Sequence, residues 1–169
     1  MNPQNPSFTD VFPYVFTSYR LTEHHTAGGM SRTLPYLSEL QPEMFCEVSP
    51  RLAEERGLVH GDWATIVTSR TAIEARVLVT ERLRSLRVGD RIVEQVGLPY
   101  HWGVNGLSHG DSTNDLVNVS LDPNVFIQGK VGTCDIRPGR RPQGAALPAY
   151  VREYRRRAGA EPEEDRSDD

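Results

Sequence analysis

Residues 63–80 read WATIVTSRTAIEARVLVT, and this stretch decides the fold class. Trp63 to Thr68 and Ala72 to Thr80 are rich in β-branched residues and are separated by a turn at Ser69-Arg70-Thr71. Successive side chains of a strand point to opposite faces. Ile73, Ala75, Val77 and Val79 therefore share one face, and Glu74, Arg76 and Leu78 share the other. Gly61-Asp62 supplies a tight entry to the first strand.

Upstream of this hairpin lies a clear helix. Ser49 is a good N-cap, Pro50 suits the first helical position, RLAEER is made of helix formers, and Gly57 suits a left-handed C-terminal cap. Before it, Met44 to Val48 reads as a strand, and residues 34–41 as a short helical turn ended by Pro42. Tyr14 to Leu21 reads as an aromatic strand followed by the polar loop TEHHTAGGMSRT. Downstream, Val88-Gly89-Asp90 turns into a strand at Arg91 to Val96, and a last strand covers about Lys130 to Ile136. Short strands around one principal helix predict a mainly β protein, a small closed barrel with short inserted helices.

The flanks differ in character. Residues 1–12 read as a lead-in and 13–137 as the barrel domain. Residues 138–169 read as a linker, a short basic helix at Tyr150 to Arg157 and a disordered acidic tail from 158 onward. With 169 residues there is enough chain for one real core. The net charge of −4 gives no basic footprint for nucleic acid. Cys46 and Cys134 form no CxxC and sit in apolar strand contexts, where free buried thiols are expected. No stretch approaches the roughly 20 apolar residues of a membrane span, and the N-terminus lacks a basic region followed by an apolar run. The cytoplasm is thus the default location, or the periplasm if a preceding segment carries an export signal.

Three groups of residues have chemistry to offer. Thr17, Ser18, Arg20, Thr22, Glu23, His24 and His25 occupy a strand end and the loop after it, which is either an ordinary polar loop or a ligand loop. Arg20 brings the planar fork of donors that suits phosphate. Tyr100-His101-Trp102-Gly103 is followed by glycines at 106 and 110. It reads either as a barrel-closing aromatic in a tight loop or as an aromatic platform beside backbone that a ligand can approach. Asn114-Asp115-Leu116, Asp122-Pro123-Asn124 and Gln128-Gly129-Lys130 are turn residues that also supply acceptors for a heterocycle and a cation for phosphate. There is no P-loop, GxGxxG after a strand, HExxH or GxSxG.

The order of these groups is specific. YRLTEH (Tyr19 to His24), QPEMFCEVSPRLAEERGLVHGDWATIVTSR, LPYHWG, TNDL and then a DPN with a Lys resemble the C-terminal, molybdopterin-dinucleotide-binding domain of the formate dehydrogenase catalytic (alpha) subunit. That subunit belongs to the dimethyl-sulfoxide-reductase family of molybdenum and tungsten oxidoreductases. The likeness covers about residues 13–137. It implies a six-stranded double-psi β-barrel and contacts to a bis(molybdopterin guanine dinucleotide) with Mo or W, shared with the rest of the catalytic subunit. The residues it nominates for the cofactor are Thr17, Arg20, Leu21, Thr22, Glu23, His24, His25, His101, Trp102, Asn114, Asp115 and Lys130. Arg20 to His25 would face the pterin and phosphates, and Lys130 would open the last strand.

The metal ligand and the catalytic residues of the family lie in a preceding part. No catalytic or metal-binding residue is therefore expected here, and the chain is expected to be a fragment or split product that is inactive alone. The implied partners are the remainder of the catalytic subunit and an Fe–S electron-transfer subunit. A competing expectation is a freestanding accessory barrel that docks through Tyr150 to Arg157. A further one is the same domain of a related molybdenum reductase.

Overall fold

A computed structural model describes residues 10–117 and 130–160. Six strands close into a barrel: β1 (Tyr14–Tyr19), β2 (Phe45–Val48), β3 (Trp63–Val67), β4 (Ala72–Val79), β7 (Gln95–Pro99) and β8 (Val131–Pro138). Around the barrel they run β1-β7-β2-β4-β3-β8 and back to β1. β1 with β7 and β2 with β4 are parallel, and the other four pairings are antiparallel. A separate two-stranded ribbon, β5 (Leu86–Val88) and β6 (Arg91–Val93), projects from the connection between β4 and β7. The mainly β closed barrel expected from the sequence is the architecture found.

The alternation read in residues 72–80 produces the core. Ile73, Ala75 and Val77 are buried with Phe16, Cys46, Val48, Ile66, Val96, Leu98, Cys134 and Ile136. A fully buried aliphatic side chain of this kind contributes about 1.5–3 kcal/mol. Packing is tight enough that a Cβ on Gly132 would lie 2.6 Å from the Phe16 ring. Both cysteines are free, and burial pushes the Cys46 thiol up to about 12 and the Cys134 thiol well above its ordinary value.

Helix α2 (Pro50–Arg56) forms as its sequence dictates. The Ser49 hydroxyl accepts from the Leu52 N–H at 3.0 Å, Pro50 opens the helix, and Gly57 closes it at φ +64°. A shorter helix, α1 (Pro35–Leu40), ends before Pro42. The expected strand at 91–96 is instead two strands, β6 and β7, parted at Glu94. The Glu94 carboxylate is buried and accepts from the hydroxyls of Ser49 (2.7 Å) and Ser85 (2.6 Å). That inward anchor breaks the straight run.

The flanks also differ from their sequence reading. Among the described residues the longest helix is α3 (Ala146–Arg157), not α2. Val151 and Tyr154 of α3 bury against Phe12, Val67 and Ala72, and the Phe12 and Tyr154 rings stack at 5.9 Å. The Tyr154 hydroxyl donates to the buried Asp135 carboxylate at 3.0 Å, and Arg56 and Arg137 meet the same carboxylate at 2.7 and 3.0 Å. Phe12 is thus core rather than lead-in. Residues 158–160 complete the helix seat, with Ala160 buried, rather than belonging to a tail. Asp122-Pro123-Asn124, Gln128-Gly129 and the acidic end from 161 lie outside the described residues.

Candidate functional site

Register places the three sequence groups at one end of the barrel. β1 and β7 run parallel and end together, with Tyr19 opposite Pro99. β8 is antiparallel to β1, so its start, Val131, lies beside Thr17. The loop after β1, the loop after β7 and Lys130 before β8 therefore emerge side by side. The 3₁₀ turn Thr113–Leu116 joins them, since the Thr113 hydroxyl donates to the Pro99 carbonyl at 3.0 Å.

Tyr100 is the meeting point. Its N–H donates to the Tyr19 carbonyl at 3.3 Å, and its ring stacks on His101 with centroids 4.8 Å apart. The Arg20 guanidinium lies over the ring at 5.6 Å and the Lys130 ammonium at 5.5 Å. Cations over an aromatic face are attracted by its quadrupole. Among the described residues neither Arg20 nor Lys130 forms an ion pair with a carboxylate, and both are exposed. Two cations from different segments, held beside a ring and free of acidic partners, are a suitable donor set for the phosphates of a ligand that also carries a flat heterocycle.

The other nominated residues divide by burial. His24 and His101 are inside. His24 Nδ1 lies 3.1 Å from the Ser31 hydroxyl and Nε2 lies 3.3 Å from the Gln41 carbonyl, and its ring meets Trp102 edge-on at 5.2 Å. His101 Nε2 accepts from the Leu21 N–H at 2.7 Å, which fixes the first loop to the second. Burial lowers the His101 pKa below its ordinary value, against the opposing pull of the Thr26 backbone, so the ring is neutral at pH 7. Trp102 is buried, and its indole N–H has no partner among the described residues. Thr22, His25, Asn114 and Asp115 are exposed, and Thr17, Leu21 and Glu23 are half-buried. Asp115 acts electrostatically on Arg141.

Arg32, which the sequence reading passed over, holds the two loops together. It is buried, and its guanidinium donates to the carbonyls of Gly103 (3.2 Å), Ser108 (2.9 Å) and Asn105. In return the Leu107 N–H donates to the Arg32 carbonyl at 2.7 Å. Gly106, at φ +109°, lets the second loop pass, because a Cβ there would lie 2.9 Å from the Arg32 carbonyl oxygen. Gly28 serves the same end at φ +78°, since its Cβ would overlap the His101 carbonyl oxygen at 2.1 Å. Tyr100 and Gly106 belong to the aromatic, glycine-containing group read from the sequence, but Arg32 and Gly28 could have been suspected only as an Arg and a Gly in a polar loop, a weak signal when the contacts span more than seventy residues of chain.

A cleft of about 770 Å³ opens beside Arg20. One lip is the loop Arg20 to Glu23, and the other is the segment Leu78 to Leu83, with Tyr19 and Glu47 between them.

The fold is thus a closed six-stranded β-barrel domain with its loops gathered and pinned at one end. The family model described as the Molydopterin dinucleotide binding domain matches residues 14–127, and the chain belongs to that family. Its ligand class is thus a molybdopterin-type cofactor. The chain is 41% identical over 116 residues to formate dehydrogenase 2 subunit alpha (cytochrome c-553) of Nitratidesulfovibrio vulgaris strain Hildenborough, covering 69% of this chain and 12% of that subunit. It is 40% identical over 116 residues to the major subunit of the nitrate-inducible formate dehydrogenase of Escherichia coli K12, covering 69% of this chain and 11% of that subunit. The chain thus spans about an eighth of the length of the curated relatives it matches. Among solved structures, acetylene hydratase from Pelobacter acetylenicus shares the fold at a TM-score of 0.57 and 14% identity, over 75% of this chain and 18% of that one. Among the described residues no helix is long and apolar enough to cross a membrane.

Proposed function

We propose that this chain is the cofactor-holding barrel of a formate-dehydrogenase-type enzyme. In this reading it contributes one wall of the site for a bis(molybdopterin guanine dinucleotide) carrying Mo or W, and the remainder of the catalytic subunit supplies the other wall. The observation that carries it is the Arg20–Tyr100–Lys130 cluster: two cations without carboxylate partners among the described residues, held over one ring at the barrel end where the nominated loops meet.

The bound group would supply the two-electron chemistry that turns formate into carbon dioxide and a proton. This chain's residues bind and orient. Arg20 and Lys130 take phosphate oxygens, with Arg20 offering a fork that matches two of them at once. Thr22 and Glu23, beside Arg20 in the loop, offer an O–H and a carboxylate to the polar edges of the ligand. His24, His101 and Trp102 act from inside: they set the loop geometry and exclude water beneath it. Neutral His101 keeps its Nε2 lone pair on the Leu21 N–H, so the loop does not depend on a charge that the cofactor would perturb. His25, Asn114 and Asp115 stand on the rim, where they would meet the remainder of the subunit or the far end of the dinucleotide. The electrons would leave through the rest of that subunit to an Fe–S partner.

The test is co-expression of the chain with the upstream part of a formate dehydrogenase catalytic subunit, followed by measurement of bound metal and pterin. Arg20→Ala is expected to lower cofactor content roughly tenfold to a hundredfold, the loss of one charge-assisted phosphate contact. Full metal and pterin with only a slower formate rate would place Arg20 at the substrate and overturn the assignment.

A further inference from the structure

Helix α3 has two unlike sides. Val151 and Tyr154, with Leu147, Tyr150 and Ala158 beside them, pack into the core. The outward side carries Arg152, Arg156 and Arg157, all exposed, flanked by half-buried Arg155, which donates to the Ser69 carbonyl. Glu153 answers Arg156 at 2.7 Å. Arg152, Arg155 and Arg157 have no ion pair among the described residues. Arg152 and Arg156 stand four residues apart, a spacing at which like charges repel across a helix surface. The arginines of the last turn also complement the helix dipole, but that effect fades within one turn and does not extend to Arg152. An outside source of negative charge would therefore stabilise this face.

The chain that follows the helix has the opposite sign. The Gly159 N–H donates to the Arg156 carbonyl at 3.1 Å, and the Ala160 N–H donates to the Arg155 carbonyl at 3.0 Å, with Gly159 at φ +70°. These two bonds make a Schellman turn, which swings the chain off the helix axis. Ala160 is buried, so the chain returns to the body of the protein rather than running on from the helix. The sequence then reads EPEEDRSDD, with Glu161, Glu163, Glu164, Asp165, Asp168 and Asp169 against Arg166 alone. Nine residues reach up to about 30 Å, whereas the helix rises only about 8 Å from Arg152 to Arg157. The two opposite charges are joined by one short tether, which gives their pairing a high effective concentration.

We infer that the outward face of α3 is a docking surface and that its occupant is the acidic segment 161–169 of the same chain, laid back along Arg152, Arg155 and Arg157. The docked segment shields these guanidinium groups from other polyanions. The face and its occupant both lie outside residues 14–127, which the family model matches, and the pairing is independent of the cofactor reading. The plainer role for the arginines is to complement the helix dipole. That role makes a different prediction, because it is indifferent to the charge of residues 161–169.

The test uses the full 169-residue chain carrying S167C and a nitroxide label. The label goes to position 167 because Cys46 and Cys134 are buried. Paramagnetic loss of the Arg152 and Arg156 amide signals then reports how often the segment lies on the helix. The comparison is the same labelled chain with its acidic residues made neutral, E161Q/E163Q/E164Q/D165N/D168N/D169N, which measures what tethering alone produces. At about 20 mM salt the native segment is expected to be docked roughly fivefold more than the neutral one, the effect of a few exposed ion pairs. At about 500 mM salt, where charges are screened within a few ångström, the two are expected to agree. R152Q/R157Q is expected to bring the native segment down to the neutral level while circular dichroism shows the helix intact. Equal signal loss in the native and neutral chains, or a difference that salt and R152Q/R157Q leave unchanged, overturns the inference.

Discussion

Trp63 and Tyr100 are aromatic rings that each lie beneath two cations, and they do different work. Trp63, at the start of β3, has Arg76 over it at 4.3 Å and Arg140 at 4.6 Å. Tyr100, after β7, has Arg20 at 5.6 Å and Lys130 at 5.5 Å. At Trp63 every positive charge is already answered. Arg76 meets Glu43 at 2.8 Å, Arg140 meets Glu74 at 2.6 Å, and the neighbouring Arg141 grips Asp111 through two nitrogens at 2.6 and 2.9 Å. At Tyr100 no carboxylate among the described residues answers either cation. The same residue types thus make a closed clasp that ties the segment after β8 to the barrel, and an open one that has donors left for a ligand. An aromatic–cation contact does not mark a binding site by itself. The charge left over does.

The comparison breaks most sharply at Arg32. It sits under the loops that carry the open clasp and donates to three carbonyls. Arg32→Ala is expected to cost about 3 kcal/mol, because three carbonyls, that of buried Ser108 among them, lose a charge-assisted partner. Chemical denaturation reads the loss, and the Trp63 side should retain native hydrogen-exchange protection while residues 20–33 and 100–110 lose theirs. Uniform loss of protection would show the two ends to be one cooperative unit.

The two clasps should also fail at different pH. Folding holds the His101 pKa below its ordinary 6.5, mainly through burial. The unfolded chain therefore takes up this proton more readily, and the His101 contribution is complete above 6.5 and declines as pH falls through the lowered folded value. At Asp111 burial pushes the carboxyl up. The Arg141 guanidinium and the Glu74 N–H outweigh that effect and hold it below its ordinary 3.8. Its contribution is complete above 3.8 and declines only as pH falls below that. Stability measured from pH 7 downward should therefore first loosen the loops around Tyr100, seen at the Leu21 amide, and only later the Trp63 side. Asp111→Asn is expected to lower stability at pH 7 by about 1–2 kcal/mol and to flatten the acid end of the curve. A steeper acid end in that variant would contradict the assignment.

The smallest expected effect is the sharpest test of the open clasp. Arg20 is exposed and its charge is not engaged by a carboxylate among the described residues, so Arg20→Ala should change stability by no more than about 0.5 kcal/mol in either direction. A large drop in melting temperature would mean that Arg20 is structural like Arg140, and the contrast between the two rings would collapse.

How much of this was legible in the sequence depends on the distance over which each feature is decided. The hairpin at 63–80 and the helix at 50–56 were readable because strand alternation, the Ser49 cap and the Gly57 terminator act within a few residues. The order of YRLTEH, HWG and TNDL carried the family resemblance and nominated Arg20 and Lys130. Alternation could not say that Glu74, on the outward face of β4, would be buried, because the cover comes from Arg140 and Arg141 more than sixty residues on. Nor could it seat Phe12 under Tyr154. The Glu94 break in the expected strand is tertiary too, since one of the hydroxyls that draw it inward belongs to Ser49.

Backbone propensity and capping are written in neighbouring residues, so most local elements, the closed β class and the polar loops follow from the chain read in order. Which charges are spent and which remain free is settled by long-range packing. Whether a cation is neutralised depends on carboxylates brought beside it by barrel closure, so the difference between Arg140 over Trp63 and Arg20 over Tyr100 exists only once β1, β7 and β8 end side by side.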